Sequence, residues 1–129
     1  MNIRQITVAG ITALAVVGLA SCGSSSTSSS PTIPADVGLT VLAGPGIKFD
    51  KSTYTVAAGD LKIAYQNRDA QRHTLDVVSS TKTVIGRELA VGKSGAIDVG
   101  TYQLPAGTYT LECTVPGHDA MRAKLVVTG

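Results

Sequence analysis

From residue 39 to residue 128 apolar and polar side chains alternate in short runs. In "DLKIAYQN", Leu61, Ile63 and Tyr65 fall on one face while Lys62 and Gln66 take the other. In "GTYTLEC", Tyr109, Leu111 and Cys113 oppose Thr108, Thr110 and Glu112, and in the last run Ala123, Leu125 and Val127 share one parity. A period of two is the signature of half-buried strands. The same reading covers "LTVLAG", "IKFD", "TYTVAAG", "HTLDVVSS" and "AIDVGTYQL", with Gly, Pro, Asn or Asp between the runs. No segment carries a long 3.6-residue period. Residues 81–95, "TKTVIGRELAVGKSG", alternate least and read as a short helix or irregular loop. Many short strands with regular turn signals predict an all-β domain, a β-sandwich or barrel with Greek-key connections.

The pattern breaks at the N-terminus. "MNIRQ" carries Arg4 and no acid, and "ITVAGITALAVVGLA" is an apolar run of about 15 residues, short of the ~20 a spanning helix needs. It ends in Leu19-Ala20-Ser21-Cys22, which resembles the lipobox of bacterial lipoproteins, where small residues admit a signal peptidase and the Cys becomes the lipidated end. A short uncleaved helical anchor is the alternative, and the small residues before Cys22 and the polar flank after it favour cleavage. "GSSSTSSSP" then offers nothing apolar to bury, so ordering it has no compensation. The expected organisation is a signal peptide over 1–21, a lipidated Cys22 with a flexible Ser-rich tether to residue 35, and one domain over 36–129. Thirteen tether residues reach roughly 20 Å, enough to hold a domain clear of the headgroups.

Charge excludes one class of partner. Of the 11 Lys and Arg, Arg4 leaves with the leader, and the remaining ten nearly balance nine acids. No run of one sign occurs, and aromatic residues make up 4% of the chain, so nucleic-acid binding has no basis. Nothing suggests oligomerisation, and a monomer is expected. The chain has two Cys, two His and two Met. With Met1 the initiator and Cys22 acylated, Cys113 is an exported thiol without a partner, which calls for reactivity or a metal.

Cys113, Met121, His73 and His118 are then the soft and imidazole ligands that remain. Cys113 has the buried parity of Leu111, and "VPG" supplies a turn in which Pro116 presets its φ and Gly117 takes φ > 0, returning His118 toward Cys113. Met121 shares parity with Leu125 and Val127, and His73 with Leu75 and Val77. Pairing of their strands would bring all four to one end of the sandwich. A thiolate, two imidazoles and a thioether suit copper, while thioether is not a usual zinc ligand. A binuclear centre would need a second Cys in the loop, where Gly117 stands instead.

The block "GTYTLECTVPGHDAMRAKLVV" resembles the C-terminal copper loop of the cupredoxin family, and "NRDAQRHTLDVV" resembles that family's approach to its first His ligand. The resemblance covers essentially residues 36–129. It implies a cupredoxin-type sandwich with one mononuclear Cu(I)/Cu(II), held by ring nitrogens of His73 and His118, the Cys113 thiolate and an axial Met121 sulfur. It implies a Thr74 N–H near the sulfur and electron passage through the edge of His118 in a surface loop. Four residues separate Cys113 from His118, a familiar variant, but only two separate His118 from Met121, fewer than in many members sharing "TVPGH".

Singly, a Cys or Met on a strand is usually core filler, and a His near a turn is usually idle. The joint motif with matching parity outweighs those readings. Four protein ligands leave no open position for substrate, so the expected role is that of a non-enzymatic electron carrier serving redox protein partners. Pro116, Gly117, Ala120 and residues 43–46 are the expected apolar patch, with Arg68 and Arg72 as a basic rim favouring an acidic partner or as two solvated arginines. Copper buffering or delivery is the alternative, disfavoured because no Met or His is spare. A thiol enzyme using Cys113 with His118 fits less well, since reactive thiols favour helix N-termini or basic pockets and this one follows Glu112.

Overall fold

A computed structural model describes residues 29–129. The expected leader over 1–21, the expected lipidation site Cys22 and the expected tether up to residue 28 lie outside the described residues. Eight strands follow in order: β1 (Leu39–Ala43), β2 (Thr53–Ala57), β3 (Gly59–Asn67), β4 (His73–Val78), β5 (Val84–Val91), β6 (Ile97–Leu104), β7 (Gly107–Glu112) and β8 (Arg122–Thr128). Among the described residues there is no helix. One sheet runs β1-β3-β6 and the other β2-β8-β7-β4-β5. Both are mixed, because β1 pairs parallel with β3 and β2 parallel with β8 while the remaining pairs are antiparallel.

The faces follow the predicted parity. Ile63, Tyr65, Leu75, Val77, Leu89, Leu111 and Leu125 are all 0% exposed and meet between the sheets. Burying such a side chain contributes about 1.5–3 kcal/mol each. The exposed edges β5 and β6 come together, where Arg87 donates two hydrogen bonds to the Asp98 carboxylate at 2.9 and 2.7 Å. Tyr102 donates its hydroxyl to the Arg87 carbonyl at 2.8 Å across the same seam, and burial pushes that phenol up to about 12. Tyr109 donates to the Pro105 carbonyl at 2.7 Å, the tyrosine-corner contact that fixes the turn into β7.

Two expectations about the elements change. Residues 84–91, read as helix or loop, form edge strand β5. Leu75 pairs with Leu89 but Val77 pairs with Ile85, so three residues, Gly86 to Glu88, stand opposite Asp76. This bulge sets Ile85 and Leu89 four apart, which hides the period of two and imitates a helix. Gly86 takes φ 71° there, and a Cβ on it would lie 2.8 Å from the Tyr102 ring. "IKFD" is not a strand: Phe49 makes one isolated bridge to Ala43, and Ile47 is 43% exposed.

β4 departs from simple alternation, since all six of its residues are buried. Thr74, Asp76 and Val78 point away from the inter-sheet core, yet β4 lies between β5 and β7 and is covered by their outward side chains. This covered strand opens with His73.

Candidate metal centre

Pairing of β4 with β7 places Val77 opposite Leu111 and Asp76 opposite Glu112, so His73 and Cys113 come to the same end of the sandwich. The loop after β7 is built from two tight turns. His118 N–H donates to the Val115 carbonyl at 3.0 Å, with Gly117 at φ 86°, as the Pro-Gly pair predicted. Met121 N–H then donates to the His118 carbonyl at 2.8 Å, and Cys113 N–H to the Met121 carbonyl at 3.2 Å. The second turn is what accommodates the short His-to-Met spacing, because it returns Met121 beside Cys113 within three residues.

All four sequence-predicted residues are buried at this end: His73 0%, Met121 1%, His118 5% and Cys113 7% exposed. Ligand atoms of His73, Cys113 and His118 lie within 4.8 Å of one another. Cys113 Sγ is 3.7 Å from His118 Nδ1, and the two imidazole rings are 4.9 Å apart at 38°. His118 belongs to a loop, as expected, but is nearly as buried as the strand residues.

The tautomer of His73 is set from outside. Its Nε2 lies 3.2 Å from Asp69 Oδ2. An ionised carboxylate only accepts, so Nε2 carries a proton, and in the neutral imidazole Nδ1 then has the free lone pair. The hydrogen bond from His73 holds the Asp69 carboxyl below its usual range. His73 Nδ1 is buried without a partner. An inward lone pair near a sulfur and a second imidazole fits a metal ion and makes poor sense as packing.

Asp69 is in turn held by its surroundings. Its N–H donates to Asn67 Oδ1 at 2.7 Å, and its Oδ1 accepts from Ala70 N–H at 2.7 Å. Asn67, 1% exposed, donates to the carbonyls of Gln71 at 2.6 Å and Val91 at 3.1 Å, tying the loop before His73 to the end of β5. Thr74 N–H donates to Cys113 Sγ at 3.4 Å, the contact implied by the resemblance. Tyr65, whose phenol is pushed up by burial and then by Cys113, donates to the Thr74 carbonyl at 3.1 Å and anchors that segment from the core.

Sequence reasoning missed Asp69, Thr114 and Glu88. Asp69 stands four residues before His73 in an irregular loop, where spacing carries no rule. Thr114 follows Cys113 in the chain, but its contacts with Thr74 and Glu88 exist only because β4 lies between β5 and β7.

A two-sheet mixed sandwich with two imidazoles, one thiol and a thioether gathered at one end is the arrangement of the cupredoxin fold, and this donor set suits a single copper. No protein-family model matches the sequence, and no curated protein matches it. Solved structures do. Reduced auracyanin from the photosynthetic bacterium Roseiflexus castenholzii superposes with a TM-score of 0.61 at 20% identity, over 74% of this chain and 100% of that one. An azurin from the obligate methylotroph Methylomonas sp. strain J gives 0.60 at 16% identity, over 74% and 100%. A reduced amicyanin variant gives 0.55 at 26% identity, over 73% and 85%. The chain has the cupredoxin fold, His73, Cys113 and His118 form a candidate ligand set for one copper, and with Met121 they fit a type 1 copper site.

Proposed function

We propose that this protein is an extracytoplasmic, lipid-anchored electron carrier that cycles one copper ion between Cu(I) and Cu(II). The observation that carries the reading is the buried, unpartnered Nδ1 of His73, on a ring fixed by Asp69, in a cluster where ligand atoms of His73, Cys113 and His118 lie within 4.8 Å of one another. In this reading His73 and His118 ligate through Nδ1, Cys113 through its thiolate and Met121 through its sulfur. Copper supplies the one-electron couple. The protein holds its ligands in one arrangement through both oxidation states, by the Asn67–Asp69–His73 chain, the paired turns and the Thr74 N–H on the sulfur. Burial of all four excludes water, and four protein ligands leave no position for substrate.

Pro116, Gly117 and Ala120, beside His118 in the chain, are exposed, as are Pro45 and Gly46, whereas Ala43 and Gly44 of the expected patch are buried. This supports docking of a redox protein partner there, with exposed Arg68 and Arg72 favouring an acidic one. The anchor reading rests on the resemblance of Leu19–Cys22 to a lipobox.

One equivalent of Cu(II) added to the purified protein tests the site. Intense blue or green colour with narrow copper hyperfine splitting is expected, reversibly bleached by reductant and absent in Cys113→Ala. Colourless, tetragonal copper binding would sink the carrier reading and return copper buffering or delivery to the front.

A further inference from the structure

On the outer face of the five-stranded sheet a chain of hydroxyls runs from the Cys113 sulfur to the surface, and the proposed function makes no use of it. Thr114 Oγ1 donates to Glu88 Oε2 at 2.5 Å. Thr114 N–H donates to Thr74 Oγ1 at 2.8 Å, and the two threonine oxygens are 2.9 Å apart. Thr74 Oγ1 lies 3.6 Å from Cys113 Sγ. Thr74 is 2% exposed, whereas Glu88 and Thr114 reach solvent. Together with Arg72, Val115 and Pro116 they line a surface hollow of about 210 Å³.

Counting protons gives the chain a direction. An ionised carboxylate can only accept, and each hydroxyl has one hydrogen to give. Glu88 therefore takes the hydrogen of Thr114. Thr74 Oγ1 already accepts from Thr114 N–H, and its own single hydrogen has two acceptors, Thr114 Oγ1 at 2.9 Å and Cys113 Sγ at 3.6 Å. With the Thr114 hydrogen drawn to Glu88, the Thr114 oxygen is polarised into the better acceptor and takes it. The sulfur is left with the Thr74 N–H. If Glu88 were no longer an acceptor, the Thr114 hydrogen would turn to Thr74, and the Thr74 hydrogen would turn to the sulfur.

We infer that Glu88 is a positioning residue for the copper thiolate: acting through Thr114 and Thr74, it holds the hydroxyl chain directed outward and withholds one hydrogen bond from Cys113 Sγ. The inference rests on the copper reading of the site. A donor aimed at the thiolate stabilises the state with more electron density on the sulfur and copper, so each added hydrogen bond favours the reduced protein. Glu88 thus keeps the potential low.

The test uses the copper-loaded full-length protein and a substitution that changes no charge. Thr114→Val leaves the sulfur as the acceptor for the Thr74 hydroxyl. It is expected to shift the reduction equilibrium against a fixed mediator about tenfold toward the reduced form, about 59 mV for one electron. The H2O-to-D2O shift of the copper–sulfur stretches in resonance Raman should grow with it. Both changes should vanish in a Thr74→Val background. Glu88→Ala, at an exposed position, should reproduce them beyond what Glu88→Gln does, since the amide removes the charge but keeps an acceptor; this pair decides the matter if Thr114→Val does not fold. A type 1 spectrum with potential and isotope shift unmoved overturns the relay and leaves the carrier reading intact. If copper gives no type 1 spectrum, the carrier reading fails, and the Thr74 hydroxyl proton followed by NMR in the metal-free protein still decides the relay. Movement of that resonance in Thr114→Val supports it, and no movement overturns it.

Discussion

Asp76→Asn is predicted to stabilise the protein at neutral pH. Asp76 is 7% exposed, its Oδ1 has no hydrogen-bond partner, and it sits opposite Glu112 in the β4–β7 ladder. Burial, then the charges of Glu88 and Glu112, holds its carboxyl above the usual range. A buried unsatisfied polar group costs about 1–3 kcal/mol, and more if charged, although the residual exposure gives Asp76 some water. An isosteric amide removes the charge and offers two donors to the adjacent carboxylates, so the expected gain is about 1–2 kcal/mol at pH 7. With a urea slope of about 2 kcal/mol per M, the middle of the usual range, the unfolding midpoint should rise by roughly 0.5–1 M. The pH dependence identifies the cause. A carboxyl whose folded pKa is raised binds its proton more tightly in the native state, so its stabilising contribution is complete below the unfolded value near 4 and is lost as pH rises through the folded value. The advantage of Asn over Asp should therefore be large at pH 7 and near zero at pH 3. Urea unfolding of the metal-free wild type and variant at both pH values measures it. A variant no more stable at pH 7, or equally advantaged at pH 3, refutes the reasoning.

Asp69→Ala should weaken copper binding roughly tenfold to a hundredfold in a chelator competition, because the His73 ring loses the acceptor that sets its tautomer. Asp69→Asn, which keeps an acceptor and loses the charge, should fall between the two; equal affinity in all three proteins would mean that packing alone orients the ring. Gly86→Ala should destabilise by about 3 kcal/mol in thermal or urea unfolding, from backbone strain at φ 71° and from a Cβ driven against the Tyr102 ring. A loss of only about 1–2 kcal/mol would show that the Tyr102 ring moves freely at the seam, and a smaller one would refute the backbone strain as well.

The sequence by itself determined the fold class and seven of the eight strands, and it singled out four candidate ligands that the structure gathers at one end. It could do so because these are local properties. Alternation in β3, β7 and β8 reports which face is buried, the Pro116-Gly117 pair reports a turn, and soft ligands are too scarce in this chain to be confused with filler. Tertiary structure decided what depends on how distant strands meet. β5 was illegible because its bulge opposite Asp76 replaces a spacing of two with one of four between Ile85 and Leu89. The burial of Thr74 and Asp76 was illegible because strand parity assigns a face but not what a neighbouring strand lays over it. Asp69 and Glu88 were illegible as site residues because they act through single hydrogen bonds, whose partners are fixed by loop geometry and strand register and leave no period in the chain. Residue type and spacing chose the donors; register between β4, β5 and β7 chose what holds and polarises them.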